Sequence, residues 1–456
     1  MAERNVVTDT FEQPAFVRGL FVLAPPLALM IAALIFGGAS RLNPIGFMVV
    51  ELFGLLALMP ALLRSPDFSY SRLTLAALAI LVLTAALPIL QLTPLPPAVW
   101  STLPGRAPMA QAVAVVGLPP HWRSMSLTPD LTAAAVLFLL APAGMFVAAL
   151  QCSPRERLWL VVAVIAIAIV SVLVGVVQAA SGHSENVQFY PAATVGLPNG
   201  FFANRNHQAS FMVAAIGLCA ALLGPERLPV ELNRRPFVIM AAMLLFAIAS
   251  AATLSRTGVI LSGAMLIAAL AAMQGRMHGV NRWLRFAVPA AVILALCALV
   301  LVFKGGAVLE RFQEGGGATS RTDILPGVIA AGRTLQPIGG GVGSFDLVYR
   351  AVEPLNKVIP EYLNHAHNDY VELWLEAGWP AAALMAAMIA WWGYAAFLAW
   401  FGPKRSDATL ARSGSIVTAA LLAHAAVDYP LRTPALAVVF ALGCAMMLPA
   451  PIRRRG

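Results

Sequence analysis

The residues with the clearest capacity for chemistry lie in the run His365-Ala366-His367-Asn368-Asp369-Tyr370-Val371-Glu372-Leu373-Trp374-Leu375-Glu376-Ala377-Gly378. Asp369 and Glu372 have capping-box spacing, which predicts a helix start here. On that helix Asp369, Glu372 and Glu376 form an acidic stripe, and Val371, Trp374 and Leu375 an apolar one. His367 falls just before the cap, at the helix mouth. A neutral imidazole there can take a proton near pH 7, because its ordinary pKa is about 6.5. The plainer reading is a histidine that caps a helix on a wet loop, and spacing alone leaves both open. His365 and His367 resemble a metal-binding pair, but no carboxylate or cysteine spacing completes a ligand set. The expectation is therefore no metal and no cofactor.

Three arginines form the second group. Arg205 lies in Gly200-Phe201-Phe202-Ala203-Asn204-Arg205-Asn206-His207, Arg256 in Leu254-Ser255-Arg256-Thr257-Gly258, and Arg321 after Thr319-Ser320. A guanidinium fork suits bidentate contact with phosphate. The competing reading is an arginine whose stem lies along apolar surface while its head reaches lipid headgroups. A third group is ionisable residues inside apolar runs. His424 and Asp428 are four apart and can share a face and pair, as a functional site or as a structural bridge between helices. Glu51 lies alone in the second apolar run. The glycine run Gly339-Gly340-Gly341-Val342-Gly343-Ser344 lacks the Gly-Lys-Ser/Thr of a phosphate loop, so a tight turn or close backbone packing is expected.

Such residues need elements to hold them, and composition says which. Of the 456 residues 60% are hydrophobic and 11% charged, whereas soluble domains run near 45–50% and about 25%. Apolar runs of spanning length recur along the chain, near 18–38, 44–63, 72–92, 130–150, 157–180, 207–224, 237–253, 256–274, 284–303, 379–401, 410–428 and 433–450. The net charge of +9 does not indicate nucleic acid, because the basic residues cluster in short connections between apolar runs, as positive-inside placement produces. With the N-terminus inside, most of the 30 basic residues fall on the inside, from Arg4 and Arg18 to Arg453-Arg454-Arg455. Arg41, Arg205, Arg256 and Arg432 then lie in short outside connections, against the bias. Both termini are expected in the cytoplasm.

Two outside segments are too long to be simple connectors. Residues 93–129 begin Pro-rich and carry Trp100 and Trp122, which suit the membrane interface. Residues 304–378 form the largest loop, with a short helix expected around Ile324–Ala331. Cys152, Cys219, Cys297 and Cys444 all lie outside these loops, so no disulfide framework is expected. The first twenty residues carry Glu3, Asp9 and Glu12 and no cleavage site after an apolar stretch, so no cleaved signal peptide is expected. The fold class is an all-α polytopic membrane protein of about twelve spans with a large periplasmic loop containing short helices. It divides into spans at 1–303, the loop at 304–378 with the chemical motif, and spans at 379–456.

Together these pieces resemble the O-antigen ligase and O-antigen polymerase superfamily of bacterial membranes. The resemblance runs from about the third span to the end. It rests on Phe201–His207, the Leu-Ser-Arg-Thr-Gly run at 254–258, Arg321 followed by the Pro337–Phe345 glycine turn, and His367–Gly378, in that order. His367, Asn368 and Gly378 fit the ligase pattern with nine residues between the last two, and Ala381 stands where that pattern has Gly, Thr or Tyr. The departure weighs toward polymerase. The resemblance implies a bacterial inner-membrane enzyme with a periplasmic site, a glycan donor on undecaprenyl diphosphate, and lipid A–core or a growing glycan as acceptor. It also implies a functional His367, Arg256 and Arg321, while Arg205 joins them by sequence neighbourhood. Asn368, Asp369, Glu372, His365, His424 and Asp428 are supporting candidates. Membrane lipid is an expected partner and nucleic acid is not. A polysaccharide transporter or flippase, and a non-catalytic partner of a glycan machine, are the readings from other classes.

Overall fold

In the computed structural model of the chain, residues 15–40, 43–182, 185–191, 193, 195–224, 236–272, 321–355, 363–403 and 405–453 are described. The apolar runs among the described residues are helical, as expected where a backbone in lipid must satisfy its N–H and C=O groups within one segment. In chain order the described helices are α1 (Ala15–Phe36), α2 (Pro44–Arg64), α3 (Arg72–Gln91), α4 (Pro97–Trp100), α5 (Ala107–Val115), α6 (Pro129–Phe138), α7 (Leu140–Gln151), α8 (Pro154–Ala180), α9 (Arg205–Cys219), α10 (Pro236–Ala252), α11 (Arg256–Ala272), α12 (Arg321–Thr334), α13 (Phe345–Arg350), α14 (Asp369–Phe401), α15 (Ala408–Ala425) and α16 (Pro434–Met447). Strand among the described residues is confined to β1 (Phe68–Ser69), β2 (Pro94–Leu95), β3 (Arg123–Ser124) and β4 (Ile452–Arg453), paired β1 with β4 and β2 with β3.

Among the described residues six helices are long and apolar enough to cross a membrane: Pro44–Asp67, Arg72–Gln91, Pro129–Gln151, Pro154–Ala180, Arg205–Leu223 and Asp369–Phe401. Shorter apolar helices, Phe21–Phe36, Val238–Ala252, Arg256–Ala272 and Pro434–Met447, fall on four more expected spans. The one expected at 410–428 coincides with α15. The one expected at 284–303 lies outside the described residues, as do 304–320 and 356–362 of the expected large loop.

Small residues let the helices approach. A Cβ on Gly144 of α7 would stand 2.4 Å from the Gly54 carbonyl oxygen of α2, so the two backbones touch, as small-residue interfaces in membranes allow. In the Arg205–Leu223 span the most apolar window is fully buried, with α8, α10, α11 and α15 packed around it. Yet its first turns carry Asn206, His207, Gln208 and Ser210, all buried. Polar residues at the end of an enclosed helix mark where chemistry can sit.

The two ends of the bundle differ. At one end β1, after α2, pairs with β4 at the chain's end. There Arg157, fully buried, donates to the carbonyls of Ala149 and Leu150 at the end of α7 and of Ala445 and Leu448 at the end of α16. One guanidinium thus satisfies terminal carbonyls of two helices, which would otherwise be orphaned. At the other end α12, α13 and the start of α14 build a small core of their own from Ile324, Val328, Ala331, Leu335, Phe345, Tyr349, Ala366 and Leu375.

Candidate functional site

The helix carrying the acidic stripe starts at Asp369, as its pattern predicts, but by a different device. Asn368 is the cap: its side chain accepts from the Tyr370 and Val371 N–H groups. The expected pairing of Asp369 with Glu372 as a capping box is therefore corrected. Glu372 instead accepts the Ala366 N–H at 2.7 Å, with its other oxygen 2.7 Å from His365 Nδ1. The backbone reaches this arrangement through His367, whose φ is 51°. Few side chains adopt that region, histidine among the more tolerant.

Within α14 the helix breaks at Gly378 (φ 63°, ψ −150°). Pro380 has no N–H to give the Glu376 carbonyl, so an unbroken helix would leave that acceptor unpaired. The glycine run supplies the missing donors: Gly340 N–H to Leu375 O and Gly341 N–H to Glu376 O, while the Trp379 N–H turns to Pro337 O. The Gln91 side-chain amide adds a bond to Glu376 O. A Cβ on Gly339 would stand 2.4 Å from the Glu376 carbonyl oxygen. This run is a close backbone joint, not a phosphate loop. Arg106, pushed down to about 10 by burial, fastens the joint from the 93–129 segment by donating to Gly339 O and Met125 O.

His367 Nδ1 lies 3.2 Å from Asp428 Oδ1. Asp428 is fully buried, accepts from Asn206 Nδ2 at 2.8 Å through Oδ2, and accepts its neighbour's Tyr429 N–H. With Nδ1–H donated to the carboxylate, the lone pair of Nε2 is left for a substrate proton; the tautomer follows from this bonding. The Tyr429 ring lies against three imidazoles, with centroids 4.9 Å from His207, 4.3 Å from His365 and 4.9 Å from His367. Asp428 lies past the end of α15, and His424 Nδ1 stands 2.6 Å from Ser210 Oγ. His424 and Asp428 still share a face: the Asp428 N–H bonds the His424 carbonyl, and the two side chains meet Ser210 and Asn206 on successive turns of α9.

Of the arginines, Arg205 Nη1 donates to Thr253 O and Leu254 O at 2.8 and 2.9 Å. Part of its fork therefore builds the turn that precedes Arg256, the exposed first residue of α11. Leu254 in that turn has φ 58°; among described non-glycine residues it shares positive φ with His367 alone. Arg205 and Asn206 are consecutive, so the Arg256 turn and the His367–Asp428 pair hang on adjacent residues at the start of α9. Arg321 opens α12, and its side chain lies outside what is described.

Arg432 has a place that sequence reasoning missed. Its guanidinium lies 2.9 Å from Glu376, 3.3 Å from Asp369 and 3.5 Å from Glu372. Burial alone opposes its charge, and the Glu376, Glu372 and Asp369 carboxylates more than offset this, holding its pKa above the ordinary arginine range. Its only signal was the one used for Arg256, an arginine in a short outside connection. Arg432→Met would leave these buried carboxylates without their cation, so it is expected to destabilise the fold by about 3–5 kcal/mol. Thermal unfolding in detergent reads this directly. Among the described residues no group of three or more His, Cys, Asp or Glu is placed to hold a metal ion.

Residues 241–386 match the model of a family described as O-antigen ligase. The matched stretch contains Arg256, Arg321, the glycine joint and His367. It begins after Arg205 and Asn206 and ends before Asp428 and Arg432. A search of curated proteins returned no match.

Proposed function

We propose that this chain, whose residues 241–386 match the O-antigen ligase family model, is a membrane glycosyltransferase. In this reading it moves a glycan from undecaprenyl diphosphate to an acceptor hydroxyl at the periplasmic face, with lipid A–core as acceptor. The observation that carries it is the bridge made by Arg205 and Asn206 between an arginine turn and a histidine–carboxylate pair. An anionic leaving group and a hydroxyl nucleophile need those two features side by side. Arg256 meets the diphosphate, Arg205 holds the Arg256 turn and adds its charge, and the family resemblance gives Arg321 the same part.

The acceptor O–H gives its proton to His367 Nε2 as the acceptor oxygen bonds to sugar C1. The bond from C1 to phosphate oxygen breaks from the opposite face, releasing undecaprenyl diphosphate and inverting the anomeric centre. Negative charge grows on the leaving diphosphate, so arginine contacts strengthen toward the transition state. The diphosphate needs no general acid, and the arginines do what a divalent cation would do elsewhere. Placement at the periplasmic face is supported by the other end of the bundle, where Arg64, Arg72, Arg157, Arg405 and Arg453 collect.

Arg256→Ala is expected to lower kcat/KM for the lipid-linked donor about 10²–10³-fold, with partial recovery in Arg256→Lys. The deciding experiment is transfer by the purified chain in vesicles. It is supplied with a lipid-diphosphate glycan and lipid A–core, without nucleotide or added metal. Glycosylated lipid A–core supports the reading as stated. A lengthened lipid-linked chain moves it to polymerase, the reading the Ala381 departure favours. Donor crossing the bilayer without either product overturns it in favour of transport.

A further inference from the structure

A cavity of about 540 Å³ opens between α2, α3, α6, α7, α14, α15 and α16. Most of its wall is apolar, including Ile80, Leu81, Phe138, Met385, Met388 and Phe440. Its polar groups include Glu51, His365, Asp369, Glu372, Glu376 and Arg432. His365 belongs to this wall; His367 and the arginines of the α9–α11 turn do not.

Two atoms in this wall point to a ligand. His365 is 6% exposed, its Nδ1 is engaged by Glu372, and its Nε2 is buried with no hydrogen-bond partner among the described residues. Asp369 Oδ2 is buried in the same condition. Buried polar atoms of this kind are costly unless something meets them. The charge balance says what that can be. Four carboxyl groups, from Glu51, Asp369, Glu372 and Glu376, stand against the guanidinium of Arg432 and the imidazole of His365. Arg432 is already committed to three of those carboxyl groups. A phosphorylated head would bring negative charge to a wall whose guanidinium is already committed to carboxyl groups, in surroundings that screen poorly. A hydroxyl can donate to Asp369 Oδ2 and either donate to or accept from His365 Nε2 without that penalty.

We propose that this cavity binds an amphipath with one long apolar chain and an uncharged, hydroxylated head, the chain between the helices and the head on His365 and Asp369. It is a second lipid site, separate from the arginine turn assigned above to the diphosphate, and it stands whether or not transfer is confirmed. The lipid in the cavity lies against His365, whose ring packs at a tilt against Tyr429 beside His367.

Trp391 lines the cavity and gives a direct readout. The full chain in phosphatidylcholine nanodiscs is titrated with dibromostearoyl glycerol or with dibromostearoyl lysophosphatidate, which differ by one phosphate. The expected result is saturable quenching by the glycerol lipid, absent in Trp391→Phe, with a midpoint at least about tenfold below that of the phosphorylated lipid. His365→Phe keeps a ring on Tyr429 and should raise the glycerol-lipid midpoint about tenfold. Ala441→Leu, which fills the apolar wall, is the second variant should His365→Phe not fold. Equal midpoints for the two lipids, no saturable quenching by either, or an unchanged midpoint in a folded variant would overturn the proposal.

Discussion

With His367 replaced by Asn, transfer to the acceptor is expected to fall about 10²–10⁴-fold, the range for loss of a general base. Asn is chosen because the position requires φ near 51°, which asparagine tolerates better than most residues. The backbone that carries His365 and Ala366 to Glu372 should therefore survive. Initial rates at saturating donor and acceptor, with a matched melting curve, make the measurement. Asp428→Asn is the companion. The new amide can donate to Nδ1, which forces the proton onto Nε2 and removes the base without removing the imidazole. Its kcat should fall by about two orders of magnitude or more while the acceptor KM moves little, a split that a merely structural role would not produce. Full activity in folded His367→Asn would end the base assignment.

Gly378→Ala should act on the whole end of the bundle built from α12, α13 and the start of α14. At φ 63° and ψ −150° the residue occupies a region open essentially to glycine. A Cβ there would also stand 2.0 Å from the Pro337 carbonyl oxygen, the acceptor for Trp379 N–H. The substitution thus combines backbone strain with a collision against backbone, which cannot rotate away as a side-chain tip can. A loss of about 3–5 kcal/mol is expected, at the top of the range for single substitutions. A lowered melting temperature in detergent, and faster proteolysis in the segment 321–355, would report it. An unchanged melting temperature would mean that the joint between the glycine run and α14 can open at little cost.

The apolar helices were legible because lipid demands long apolar segments, and most of them start and stop within a few residues of the apolar runs, whereas α14 begins at Asp369, well before the run at 379–401. The crowding of Asn204, Arg205, Asn206 and His207 into one polar set was legible as well. Their partners were not. Asn206 meets Asp428 across 222 positions, and no local period encodes a contact made only when α9 and α15 pack. The capping box at Asp369 and Glu372 failed for a related reason. The spacing fits, but the positive φ at His367 turns the preceding chain back onto Glu372, so Asn368 is left to cap the helix. Arg432 shows the same limit: three acidic residues on one helical face were visible in the sequence, and the cation that meets them arrives from a connection beyond the next helix.

Arg157 carries a consequence for how the protein is made. Its carbonyl partners on α7 lie 7 and 8 positions away, whereas those at the end of α16 lie 288 and 291 positions away. A chain under synthesis therefore inserts α8 with a guanidinium half-satisfied at its base, and it stays so until α16 leaves the ribosome. That helix acts as a latch whose arrival completes the charge's solvation. A nascent chain truncated before α16 would present an unfinished cation at the membrane surface, a feature by which quality control could tell it from the finished protein.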